Sequence, residues 1–367
     1  ELDKGYFNKM RFCVFPKHYI HNFKDPQTFP YEGTPVDCSG LTEDNFAYDS
    51  DFSGNDWDFT RPNPEHFRRV ERAILQLRER GVEADLIVMH PYDRWGFSAM
   101  SREADDLYWK YCIARFSAYR NLWWSLANEY DLLKAKTLED WEHYAALLCE
   151  LDPYKHLRSV HNCVPFYDYT RPWVTHCSMQ RQDLYRHVEY TSDYRTRYGK
   201  PVVWDEIAYE GNIDQAWGNI TGQELVRRFW EASLRGGYAG HGETYMDPEN
   251  DILWWSHGGE LHGESPARIK FLHEILTQTP ALGLREGNSQ FGEVLAVPDT
   301  TFPQGGYEIH YYGFGRPSFR DFRMEGNWQV EVIDTWEMTV EDRGVHTGKF
   351  RVELPGKQYM AIRLKQV

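Results

Sequence analysis

Apolar residues along the chain gather into short runs separated by longer amphipathic stretches. Seven runs, Lys9 to Phe15, Ala84 to His90, Asn121 to Ala127, Leu157 to His161, Trp173 to Ser178, Pro201 to Asp205 and Gly237 to His241, have the length and continuity of strands in a buried sheet. Between most of them apolar positions recur at helical spacing, over 64–80, 105–119, 138–151 and 222–235. Strand and helix in alternation imply parallel βα units. Seven units before residue 250 fall one short of a (β/α)8 barrel, which takes about 250 residues. The pattern therefore predicts an α/β chain built as a TIM barrel whose first strand lies upstream of Glu1. An open doubly wound sheet is the alternative, but no GxGxxG follows an early strand.

After a helical pattern over 265–277 and the Pro- and Gly-punctuated stretch 280–287, the texture changes. Runs at 293–297, 307–312, 329–333, 349–354 and 359–364 alternate apolar with polar and are separated by turns, the signature of antiparallel strands with one wet face. The expected organisation is a barrel over 1–282 and a small antiparallel β-sandwich over 283–367.

Charge narrows the partners. With 56 acidic against 41 basic residues the net charge is −15, and the basic residues are scattered among carboxylates, which argues against nucleic acid. No run approaches the roughly 18 apolar residues of a membrane span. Six cysteines form no CxxC pair, which fits reduced thiols, a cytoplasmic setting and no structural zinc. Aromatics reach 16%, and this admits two readings, a ring-rich core or a cleft that stacks sugar faces.

In a barrel the chemistry sits at the C-terminal ends of the strands. The polar residues there are Arg11; His90, Asp93 and Trp95; Asn128 and Glu129; His161 and Asn162; His176 and Gln180; Asp205 and Glu206; and His241, Glu243 and Tyr245, with His18 and Tyr19 as further candidates after the first visible strand. Glu129 ends the run that delivers Asn128, and Glu206 ends the run that delivers Asp205. With Arg11 on the second barrel strand, they fall on strands four and seven, the arrangement that lets two carboxyl groups flank a scissile glycosidic bond.

The segments Trp124 to Asp131 and Trp204 to Gly211 resemble the retaining (β/α)8 glycoside hydrolases of clan A, and are most similar to the apiosidase-like bacterial glycosidases, which carry a small C-terminal β-domain. The resemblance implies that Glu129 is the general acid/base, Asn128 a partner of the sugar 2-hydroxyl, and Glu206 the nucleophile, held ionised and oriented by Arg11 and His176. It implies a carbohydrate substrate and no cofactor. The tryptophan that closes strand eight in the clan is missing, since the run here is Gly240 to Tyr245. Trp95, Trp254 and Trp255 are then the candidate sugar platforms, Glu243 a candidate hydroxyl ligand, and His18, His90 and His161 further substrate-binding candidates. The insertion over 31–60 and the loop over 246–264 suggest a cleft closed at one end, hence exo action on plant or microbial glycans. Two alternatives stay open: a metal-dependent barrel hydrolase using His90, His161, His176, His241 and Asp205, and a carbohydrate-binding barrel without catalysis.

Overall fold

The computed structural model describes residues 1–20, 26–48, 51–183, 185–246, 258–279, 283–299 and 306–367. They divide into two compact units, 1–182 with 246–260, and 183–245 with 261–367.

In the first unit the strands are β1 (Lys9–Cys13), a hairpin of β2 (Tyr31–Thr34) and β3 (Asp56–Pro62), β4 (Glu83–Met89), β5 (Leu122–Ala127), β6 (Leu157–Ser159) and β7 (Cys177–Met179). Four of them form a parallel sheet in the order β1-β4-β5-β6, with Arg11 opposite Asp85 and Asp85 opposite Trp123. A bridge from His161 to Ser178 carries the parallel pairing on toward β7. Helices α1 (Pro64–Glu79), α2 (Arg102–Phe116) and α3 (Leu138–Leu151) follow β3, β4 and β5.

Local chemistry sets the helix starts. The Asn63 side chain accepts the Glu65 N–H at 3.0 Å with Pro64 in the first turn, Ser101 caps α2, and Thr137 and Asp140 form a capping box at α3. Phe67, Val70, Ile74 and Leu77, spaced three and four apart, form the buried stripe of α1. Trp109 of α2 stacks on Tyr144 of α3 at 5.3 Å. Six tryptophans, Trp95, Trp109, Trp124, Trp141, Trp204 and Trp230, are among the largest fully buried side chains, so the aromatic richness largely builds core. The connection from β6 to β7 holds no helix, as its length requires. Asp131 ties it down by accepting the N–H groups of Cys163 at 2.6 Å and Val164 at 3.0 Å.

Between α2 and α3 lies a buried ion pair: Lys136 Nζ is 2.5 Å from Asp105, which also accepts the Tyr144 hydroxyl, while burial pushes the Asp105 carboxyl up and Lys136 opposes it. Lys136→Met leaves that carboxylate uncompensated and should cost about 3 to 5 kcal/mol in urea unfolding.

The second unit holds β8 (Val202–Trp204), β9 (Glu210–Gly211), β10 (Tyr238–Ala239) and β11 (Glu243–Thr244), with α4 (Thr191–Tyr198), α5 (Gly222–Leu234) and α6 (Ser265–Thr277). β8 pairs in parallel with β10, and β9 with β11. Six further strands, β12 (Leu284–Glu286), β13 (Val294–Pro298), β14 (Tyr307–Tyr311), β15 (Phe319–Asp334), β16 (Thr339–Glu353) and β17 (Met360–Gln366), make one antiparallel sheet in the order β12-β13-β14-β17-β15-β16.

The expected sandwich is thus a single sheet among the described residues. Bulges between Met324 and Asn327 and between Val330 and Glu331 bend the β15–β16 hairpin. Phe322, Val352 and Leu354 of its far half thereby join one apolar cluster with Val330, Val332, Ile362 and Leu364. Helix α5 packs on this sheet through Trp230, stacked on Tyr311 at 5.4 Å, and through Arg235 with Glu286 at 3.1 Å. Among the described residues no helix is long and apolar enough to cross a membrane.

Candidate active site

Alternation along the sheet puts Arg11, Asp85 and Ser125 on one face, while α2 and α3 cover the other, where Trp124 and Leu126 are buried. Arg11 reaches Asp85 at 3.3 Å and the Ser125 hydroxyl at 3.3 Å, and Lys9 meets the same aspartate at 2.7 Å. Beyond the end of β5 the chain stays pinned on both sides: the Asn128 N–H donates to Met89 at 3.0 Å and the Tyr130 N–H to His161 at 2.9 Å. Between them Glu129 adopts φ 49°, ψ 58°, a left-handed conformation uncommon outside glycine.

The Glu129 carboxylate is buried and surrounded by donors. Gln180 donates to Oε1 at 2.8 Å, Asn128 to Oε2 at 3.3 Å, and the Tyr92 hydroxyl also donates to Oε2 in a short bond. Three donors from three segments fix its orientation. Tyr92 is itself held, with Lys17 Nζ 4.5 Å from its ring centre and Tyr19 edge-on at 5.3 Å.

In the second unit Glu206 lies two residues past the end of β8 and is half-buried, beside the buried Asp205. The ends of β8 and β10 are pressed together: the Gly240 N–H donates to Trp204 at 2.7 Å, and a Cβ on Gly240 would lie 2.5 Å from the Asp205 carbonyl oxygen. The following turn is fixed by Ala208 at φ 66° and by Arg228, which donates to the Ile207 carbonyl at 2.5 Å.

The remaining candidates divide. His176 is buried, hydrogen-bonded to Thr175 at 3.0 Å and edge-on to Trp123 at 5.1 Å. His161 is fully buried where the pairing of β5 passes toward β7. His90 donates to the Phe15 carbonyl at 3.2 Å, and burial pushes its pKa down to about 4, so it is a neutral tie between β1 and β4. His18 packs at a tilt against Phe46 with ring centres 4.9 Å apart, and burial lowers its pKa to about 4 as well.

Trp95 corrects the expectation of an exposed platform. It is 1% exposed, packed among His18, Phe29 and Phe97, because Asp93 turns inward to accept the Trp95 and Ser98 N–H groups at 2.8 and 2.7 Å. Trp254 and Trp255 lie outside the described residues.

Glu243 is likewise corrected as a hydroxyl ligand: it is 0% exposed, and its oxygens accept the His262 and Gly263 N–H groups at 2.8 and 2.9 Å. Its neighbour Glu210 accepts the Glu264 and Ser265 N–H groups at 2.8 and 3.1 Å and the Tyr245 hydroxyl at 3.2 Å. The two carboxyls clamp the start of α6. With His241 they form the one set of three among the described residues whose ligand atoms, all within 4.8 Å of one another, have metal-binding spacing. His90, His161 and His176 do not belong to it. Every carboxylate oxygen of the set already takes a backbone N–H, which is the chemistry of an anchor for the 262–265 segment.

Two tests follow from this anchor. A Cβ on Gly263 would sit 2.4 Å from a Glu210 oxygen and 2.5 Å from a Glu243 oxygen, so Gly263→Ala should destabilise by about 2 kcal/mol in urea unfolding. Burial, with Glu210 adding repulsion, pushes the Glu243 pKa from 4.5 up to about 7. The folded chain then holds that proton more tightly than the unfolded chain, a stabilisation complete below 4.5 and lost as pH rises through 7. Melting curves between pH 5 and 8 should show this loss in the parent and lack it in Glu243→Gln.

Tyr92, Gln180 and Glu210 are the contributors that strand-end reading left without a role. Gln180 carries the signal of its position after β7, whereas Tyr92 and Glu210 act through partners far off in sequence.

A family described as the apiosidase-like catalytic domain matches residues 33–281. The chain belongs to the apiosidase-like glycosidases. A domain of unknown function (DUF5605) matches 296–365 of this glycosidase. A crystal structure from Bacteroides vulgatus, designated a candidate glycoside hydrolase, is 34% identical with TM-score 0.86, covering 100% of this chain and 75% of that one. Two more distant structures share the fold. One is a glycoside hydrolase family 5 protein of Bacteroides vulgatus at 12% identity and TM-score 0.67, covering 99% of this chain and 83% of that one. The other is a GH30 endoxylanase of Clostridium papyrosolvens at 11% identity and TM-score 0.51, with 83% and 85% covered. No curated protein matches. The apiosidase-like chain is accordingly an α/β barrel followed by a C-terminal domain with an antiparallel sheet.

Proposed function

We propose that the chain hydrolyses a glycosidic bond with retention of anomeric configuration. The observation that carries this reading is the Glu129 carboxylate, at the end of β5 and held by Tyr92, Gln180 and Asn128, in a member of the apiosidase-like glycosidases. Glu206 attacks the anomeric carbon as Glu129 protonates the departing oxygen. Glu129, now a base, then takes a proton from the water that releases the sugar from Glu206. No step calls for a cofactor.

Asn128 serves the sugar 2-hydroxyl, while Arg11 and His176 keep the nucleophile ionised and oriented. Exo action on oligosaccharides from plant or microbial polysaccharide is supported by the 31–60 insertion, which contains a β-hairpin anchored by the Trp57 indole N–H on the Trp95 carbonyl at 2.9 Å and would wall one end of a cleft. The test is to follow the first-formed product on aryl glycosides by proton NMR. Retention of the anomer supports the reading, and initial release of the inverted anomer overturns it.

A further inference from the structure

The C-terminal sheet carries a groove that catalysis does not use. A cavity of about 1480 Å³ lies between α5, the loop over 288–293 and the outer strands β15 and β16. Three phenyl rings on its wall are left in solvent: Phe291 is 69% exposed, Phe314 55% and Phe319 43%. Each has a guanidinium against it, Arg320 at 3.9 Å from the Phe291 ring centre, Arg227 at 4.5 Å from Phe314 and Arg351 at 3.8 Å from Phe319. Rings steadied in this way offer flat apolar surface for the C–H face of a sugar.

These three arginines are neutralised by neighbours: Arg227 by Glu189 and Glu224, Arg320 by Glu293, and Arg351 by Asp321 through bonds of 2.7 and 2.9 Å. Other cations among the lining residues are not. Arg323 and Lys349 stand directly opposite each other on β15 and β16, and neither has a carboxylate partner among the described residues. Like charges facing across a strand pair repel, so an arrangement of this kind calls for an anion. Arg316, whose one hydrogen bond among the described residues goes to the Gly356 carbonyl at 3.0 Å, adds a third cation without a carboxylate partner among them. In all, seven Arg and Lys residues line the groove against four carboxylates, in a chain whose net charge is −15.

We propose that this groove binds a glycan bearing carboxylates, a uronate-containing polysaccharide chain, with sugar rings on the phenyl faces and sugar carboxylates on Arg323, Lys349 and Arg316. Guanidinium matches a carboxylate by paired hydrogen bonds. The proposal does not depend on the retaining mechanism, since none of the groove residues belongs to the catalytic set.

Affinity electrophoresis of the full chain in native gels tests it, with polygalacturonate, a neutral galactan, polyglutamate or single-stranded DNA in the matrix. Polygalacturonate should retard the chain and the other three should not. Arg323→Ala with Lys349→Ala should weaken that retardation about tenfold, Phe291→Ala with Phe319→Ala should weaken it similarly, and both pairs should keep the parent melting temperature. Glu206→Gln should leave it unchanged. Equal retardation by polyglutamate or DNA would reduce the groove to an ion-exchange surface, and equal retardation by galactan would remove the role of the cations. Retardation that survives both groove variants, or that is lost in Glu206→Gln, would move binding to another site and overturn the proposal, as would no retardation in any matrix.

Discussion

Glu206→Ala is expected to lower kcat on an aryl glycoside by about four orders of magnitude, and added azide should restore part of the rate. If Glu206 is the nucleophile, removing it leaves room beside the anomeric carbon that a small anion fills, attacking from the same side. The product is then a glycosyl azide of inverted configuration, identified by NMR of the purified sugar. The size of the loss follows from the role, because without the carboxylate no glycosyl-enzyme forms. Loss without rescue, together with an unchanged melting temperature, would point to a positioning role for Glu206, and unchanged kcat would remove it from the reaction.

The second large effect is expected at Glu129, and it should depend on the leaving group. On the proposed mechanism Glu129→Ala removes the proton donor, so cleavage of an unactivated disaccharide should fall by about three to four orders of magnitude, while a dinitrophenyl glycoside, whose leaving group needs no proton, should still form the glycosyl-enzyme at a rate near the parent's. Azide should now accelerate the second step and give a product of retained configuration. The opposite stereochemistry of the two rescued products separates the roles of the two carboxylates. Tyr92→Phe, which removes one of the three donors on Glu129 and leaves the ring on Lys17, should lower kcat on the disaccharide far less than Glu129→Ala does.

Much of the barrel was legible because a sheet covered by helices leaves continuous apolar runs, as at Glu83–Met89 and Leu122–Ala127, and because caps such as Thr137 with Asp140 are written locally. The apiosidase-like segments around Glu129 and Glu206 were legible for the same reason, since each ends such a run. What escaped depends on contacts between distant segments. Trp95 follows the polar pair Asp93 and Arg94 and reads as a loop residue, yet Asp93 folds inward and carries the indole into the core. Glu243 has the strand-end position of a sugar ligand, but its partners are backbone N–H groups about twenty residues further on, which no side-chain pattern announces. The C-terminal strands read correctly as alternating runs, while the bulges that bend one sheet over its own apolar face leave no mark in that alternation.

The central claim is that this apiosidase-like chain works through a covalent intermediate on Glu206. The most direct measurement is trapping with a 2-deoxy-2-fluoro aryl glycoside of whichever sugar the enzyme turns over, followed by mass spectrometry of the intact chain and its peptides. A single added glycosyl group on the peptide bearing Glu206, absent from Glu206→Ala, is the expected result. An adduct on another carboxylate, or turnover of the parent glycoside to the inverted anomer with no adduct, would contradict the account.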